Sequence, residues 1–116
     1  KDDVVKCYEA LDDDTDIVIT ATPASANPYF NMIKINEDGS SSLIINDQKP
    51  YRRQDAPPVY DMTGVAYVTR KDFILESEGV FSGRAKAVII PRERAVDIDE
   101  EIDFIFAESI YNYQSE

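Results

Sequence analysis

Two aspartates with one isoleucine between them, Asp97 and Asp99 in "RAVDIDEEIDF" (94–104), stand where a β-type run gives way to a helical one. Carboxylates at that spacing and place support two kinds of chemistry. One is local. Asp97 can act as the N-cap, with Glu100 three residues later completing a capping box, and Asp99 suits the positive end of the helix dipole. The other is ligation. A hard cation such as Mg²⁺ takes one or two carboxylates and completes its shell with water and substrate phosphates. The pattern by itself favours capping. The two readings are compatible, since one aspartate can cap while both ligate.

A second candidate is the loop 46–58, "NDQKPYRRQDAPP", with three prolines and a basic cluster at Lys49, Arg52 and Arg53. The planar fork of arginine matches carboxylates and phosphates. The plainer alternative is a solvated loop whose arginines offset nearby acids. Tyr29, Phe30 and Met32 in "ANPYFNMIKI" read as core or interface residues rather than ligand contacts. Cys7 reads as a small buried apolar residue rather than a nucleophile. Tyr67, in mid-strand, reads as a half-buried core tyrosine.

Composition narrows the function classes. The 116 residues suffice for one domain with a modest core, and 43% are hydrophobic. Twelve basic residues face 23 acidic ones, a net charge of −11, which repels nucleic-acid backbones. No histidine is present, which removes histidine-based triads and most zinc sites. One cysteine cannot form an internal disulfide and fits a reducing, cytoplasmic setting. No apolar run approaches a membrane span and no secretory signal opens the chain, so neither membrane nor nucleic acid is expected as a partner. The four glycines (39, 64, 79 and 83) form neither a dinucleotide fingerprint nor a P-loop.

The elements that must position these residues alternate. "DDVVKCYEALDDD" predicts an amphipathic helix with Val4, Cys7, Tyr8 and Leu11 on its inner face. "DIVITATPA" predicts a buried strand that Pro23 ends. "FNMIKIN" and "SLIIN" flank Asp38-Gly39, a hairpin signature. "TGVAYVTR" predicts a strand, "KDFILESEG" a helix ending at Gly79, and "AKAVIIP" a further strand. "DIDEEIDFIFAESIYNY" predicts a terminal helix with Ile98, Ile102, Ile105 and Phe106 facing inward. This is an α/β layout with one inserted hairpin. Such layouts usually open on a strand; this one opens on a helix, which leads to the expectation of the later part of a larger α/β domain.

Three segments in order, "NPYFNMIKI", "RRQDAPPVYDMTGVAYV" and "IPRERAVDIDEEIDF", resemble the second half of an acylneuraminate cytidylyltransferase, or CMP-sialic acid synthetase. The resemblance implies a Rossmann-like nucleotidyltransferase fold, with 1–116 as its C-terminal half and 27–58 as a dimerisation subdomain inserted as the hairpin. It implies transfer of CMP from CTP to a nonulosonic acid with release of pyrophosphate, Mg²⁺ as cofactor, and a homodimer. Asp97 and Asp99 would be the catalytic metal ligands at the triphosphate. Arg53 would reach across the dimer interface toward the partner's sugar site, and Tyr67 would line the sugar pocket. Gln54, Thr63 and Gly64 join them as substrate-binding candidates. Thr63 replaces a frequent asparagine, and Phe30 occupies a position where some members carry lysine. Nothing matches the family's nucleotide-binding loop, so the isolated chain is expected to be inactive. Two alternatives stay open: a non-catalytic α/β module that self-associates, and a cytidylyltransferase for another sugar acid such as legionaminic acid.

Overall fold

A computed structural model describes residues 1–47 and 51–115. In chain order the elements are α1 (Asp2–Ala10), β1 (Ile17–Pro23), β2 (Ile33–Ile35), β3 (Ser41–Leu43), β4 (Tyr60–Thr69), α2 (Lys71–Glu76), β5 (Ala85–Ile89) and α3 (Glu101–Ser115). Short 3₁₀ turns lie at Val80–Ser82 and Arg92–Arg94. Two compact units result: Lys1–Thr22 with Asp61–Glu116, and Pro23–Tyr60.

The first unit is built on β1. Its β-branched run occupies the centre of a three-stranded sheet of order β4-β1-β5. Every residue from 17 to 22 is therefore buried, rather than every second one. A strand covered on both faces reads as a continuous apolar run, not as an alternating one. β5 pairs with β1 in parallel, from Ile17 opposite Ala85 to Ala21 opposite Ile89. The Ile90 amide extends the ladder to the Ala21 carbonyl at 2.8 Å. β4 runs the other way: Thr69 donates to the carbonyl of Asp16, just before β1, at 2.7 Å, while Thr63 meets Thr20 further along. The sheet is thus mixed and the architecture α/β. Cys7, Ile17, Val18, Ile19, Ala21 and Ile90 form the buried apolar core.

Two helices present faces other than the expected ones. In α1, which packs against β5, Cys7 is buried, but Val4 and Tyr8 are exposed and Asp3 is buried instead. The cause is an ion pair: Arg94 grips the Asp3 carboxylate through two 3.0 Å hydrogen bonds. Residues i and i+4 share a helix face, so turning Asp3 and Cys7 inward turns Val4 and Tyr8 out. In α3, Ile98 just before the helix and Ile102, Ile105 and Phe106 within it are exposed, Ile102 at 69%. Phe104, Tyr111 and Tyr113 are exposed too, so apolar side chains spread around the helix rather than along one stripe. No α3 side chain is buried among the described residues. α2 stops at Glu76 rather than at Gly79, because Ser77 takes an extended conformation and its amide closes on the Phe73 carbonyl at 2.9 Å.

Gly83 is required by close approach. A Cβ there would lie 2.5 Å from Asp16 Oδ2 and 2.6 Å from Phe73 Cε2. Asp16 Oδ2 also accepts the Arg84 amide at 2.7 Å. Gly83→Ala must displace both side chains, and is expected to destabilise by about 1–3 kcal/mol. Urea unfolding would show a lower midpoint at unchanged slope; an unmoved midpoint would contradict the packing.

Asp12 links the end of α1 to β5. Its carboxylate accepts from Lys86 at 2.5 Å and from the Thr15 hydroxyl at 2.7 Å. These bonds, the one from Lys86 foremost, hold its carboxyl at about 2, below the ordinary 3.8. A carboxylate lowered in this way stabilises the fold above its unfolded value and loses that contribution as pH falls through the folded one. Thermal midpoints should therefore fall between about pH 4 and about pH 2, and Asp12→Asn should flatten that part of the profile.

The second unit holds the β2–β3 hairpin, with Ile33 opposite Leu43 and Ile35 opposite Ser41. Gly39 takes a φ of +86°, which favours glycine. Asp38 Oδ1 accepts from the Ser40 amide at 3.0 Å and its hydroxyl at 2.6 Å, locking the turn. Expected segment 27–58 lies inside this unit; Lys49 lies outside the described residues. The unit closes on itself where the Ala24 amide donates to the Val59 carbonyl at 3.1 Å.

Candidate functional site

Pairing in the first unit brings three chain segments to one end of the sheet. Parallel β1 and β5 finish on the same side, and antiparallel β4 starts there. In open α/β sheets that carboxyl end of the strands is where ligands bind. A cleft of about 270 Å³ opens at this point. Thr22 comes from the end of β1, Asp61 and Thr63 from the start of β4, Arg92 from the 3₁₀ turn after β5, Asp97 from the approach to α3 and Asp103 from its first turn.

Asp97 is not the N-cap. α3 begins at Glu101, and its start is served from within the helix by Asp103. Asp103 Oδ2 accepts the amides of Asp99 at 3.0 Å and Glu100 at 2.9 Å. This is the backward reach of a capping box, made by the acid three residues beyond Glu100. With that role taken, the Asp97 carboxylate lines the cleft.

Other sequence-predicted residues fall differently. Thr63 lines the cleft, but its hydroxyl is engaged with that of Thr20 at 2.6 Å. Asp99 and Gly64 are exposed and do not line it. Tyr67 is 48% exposed and also lies outside the lining. Arg53 and Gln54 belong to the second unit and are exposed. The Arg53 guanidinium sits 5.4 Å from the centroid of the Phe30 ring, a cation–π contact. It borders a cleft of about 340 Å³ within that unit, together with Asn27, Asn31 and Tyr60.

Thr22, Asp61, Arg92 and Asp103 were not singled out from the sequence. Thr22 is 6% exposed, and its hydroxyl is buried without a hydrogen-bond partner among the described residues. A buried hydroxyl in that state costs about 1–3 kcal/mol, a penalty that a ligand group could relieve. Asp61, two residues before Thr63 in "YDMTG", was the one that strand alternation could have found, since i and i+2 share a strand face.

The donors here are all oxygens, from Asp97, Asp61 and Thr22. They suit a hard cation such as Mg²⁺. Among the described residues no group of three acidic, histidine or cysteine side chains could hold a metal alone. A cation bound through Asp97 would therefore complete its shell from water and phosphate, as Mg²⁺ does.

No family model matches the chain. Curated relatives do. It is 34% identical over 91% of its length to the post-translational flagellin modification protein B of Campylobacter coli, and 32% identical over 84% to the CMP-N,N'-diacetyllegionaminic acid synthase of Campylobacter jejuni. The chain is a sequence relative of the acylneuraminate cytidylyltransferases. An N-acylneuraminate cytidylyltransferase of Streptococcus agalactiae is 27% identical over 79% of it. The chain spans 45%, 41% and 22% of the lengths of these three relatives. Two of these relatives are thus named as a synthase and a cytidylyltransferase. Among the described residues no helix is long and apolar enough to cross a membrane.

Proposed function

We propose that the chain is the later portion of a cytidylyltransferase that joins CMP from CTP to a nonulosonic acid of the sialic or legionaminic type. The supporting observation is that the family's aspartate segment delivers Asp97 into a cleft at the carboxyl ends of β1 and β5. In this reading Asp97, with Asp61 in the same cleft and Asp99 two residues away in sequence, would hold Mg²⁺ for the triphosphate. When bound, Mg²⁺ supplies charge neutralisation and in-line orientation for phosphoryl chemistry. The anomeric hydroxyl oxygen forms the new bond to the α-phosphorus and its proton passes to solvent, while the α–β phosphoanhydride bond breaks and pyrophosphate leaves. Arg92, with no ion pair among the described residues, adds a cation for phosphate or carboxylate oxygens. Arg53, Gln54, Tyr67, Thr63 and Gly64 serve the sugar acid, Arg53 from the partner of a homodimer.

Identity is higher to the relative named for diacetyllegionaminic acid, 32%, than to that named for N-acylneuraminate, 27%. The first sugar acid to test is therefore N,N'-diacetyllegionaminic acid. The experiment is pyrophosphate release with CTP and Mg²⁺, by the chain alone and mixed with the amino-terminal half of a related synthetase. Release only on mixing supports the reading; silence with every nonulosonic acid in both arms refutes it. A second reading, a non-catalytic self-association module, is favoured by exposed Ile102, Phe104, Ile105 and Phe106 on α3. A concentration-dependent dimer indifferent to CTP would support it.

A further inference from the structure

We propose that the Asp3–Arg94 ion pair is a positioning device for the segment that carries Asp97. This rests on the reading above that Asp97 is a metal ligand. Arg94 ends the 3₁₀ turn, where its own amide closes on the Pro91 carbonyl and the Ala95 amide on that of Arg92, each at 3.0 Å. Its Nε and Nη2 each donate at 3.0 Å to a separate oxygen of Asp3. A two-pronged contact of this kind fixes orientation as well as distance. Asp3 sits in the first turn of α1, which packs on β5, so the anchor is part of the sheet's own framework. Downstream, Asp103 Oδ2 holds the Asp99 and Glu100 amides. Between the two anchors Val96, Asp97 and Ile98 make no hydrogen bond among the described residues. The direction of Asp97 is therefore set by its two ends.

The Arg94 side chain is 48% exposed. A pair that open contributes little to global stability. Its effect is local, and Asp3→Asn or Arg94→Ala should loosen the segment without loosening the sheet.

The test uses the 116-residue chain with Mn²⁺ as the probe, titrated by electron paramagnetic resonance, and amide hydrogen exchange read by NMR. Arg94→Ala should weaken Mn²⁺ binding about 10–100-fold, the usual effect of removing a group that orients a metal ligand. Asp3→Arg combined with Arg94→Asp should recover most of the loss. In Arg94→Ala the Asp99 and Glu100 amides should exchange about tenfold faster, while those of β1 stay unchanged. Unaltered exchange at Asp99 and Glu100 overturns the proposal, and so does an equal acceleration in β1, which would make the pair a global stabiliser. If the unmodified chain binds no Mn²⁺, the metal reading fails by itself, and the exchange comparison still decides whether the pair holds the segment.

Discussion

Asp97→Asn is expected, under the proposed function, to lower CMP transfer by the chain mixed with its complementing half by about 100–1,000-fold, the scale seen when a charge-stabilising group is removed from a reacting site. Mn²⁺ binding should fall with it. The substitution separates the two roles that the aspartate pair could play. Asparagine caps a helix about as well as aspartate does, so a capping role predicts near-wild-type behaviour. A ligating role predicts collapse, because the neutral amide is a far weaker partner for a divalent cation. Stability should hardly change in either case, since α3 is capped by Asp103 and not by Asp97. Asp99→Asn should cost less than Asp97→Asn, because Asp99 lies outside the cleft lining. Full transfer activity in Asp97→Asn would remove Asp97 from the reaction.

Ile90→Ala should have the largest effect on folding. Ile90 is 1% exposed and is the bulkiest of the fully buried side chains. Its amide also carries the β5 ladder one step further, to Ala21. Truncating a buried isoleucine costs about 2–5 kcal/mol through lost transfer energy and the cavity left behind. Domains of this size have about 5–15 kcal/mol in total, and among the described residues the buried apolar core is six residues. Urea titration should show either a large drop in midpoint or a chain unfolded without denaturant. Ile89→Ala, one residue earlier on the exposed face, is the control and should stay within about 0.5 kcal/mol. A loss under about 1 kcal/mol for Ile90→Ala would contradict the burial of that side chain.

What the sequence made legible was whatever local chemistry decides. The run Ile17–Thr22 announced a buried strand because β-branched residues tolerate little else. Asp38-Gly39 announced a hairpin because Gly39 takes a positive φ that glycine tolerates best. Helix faces were harder. Apolar spacing in α1 pointed to Val4 and Tyr8, but the pairing of Asp3 with Arg94 turned Asp3 inward, and that pair joins residues 91 positions apart in the sequence. In α3 the apolar residues spread around the axis, so spacing could not choose a face. The capping box read at Asp97 and Glu100 was displaced by three residues, because Asp103 reaches back to the amides of Asp99 and Glu100. Thr22, Asp61 and Arg92 meet only through β-sheet register, to which no local pattern refers.

The hydrogen bond from Ala24 to Val59 has a consequence for how the chain assembles. Pairing of β1 with β5 joins distant positions: the contact from Arg84 to Asp16 spans 68 residues. Loop-closure entropy grows only with the logarithm of the free length, but it must be met before the sheet gains anything. By returning to its own starting point, the Pro23–Tyr60 unit turns much of that span into a short stitch. The length of the excursion is thereby uncoupled from strand register. Residues can be added to or removed from the hairpin without shifting a single partner across β1 and β5, so the part of the molecule freest to change in evolution is separated from the part that sets the direction of Asp97.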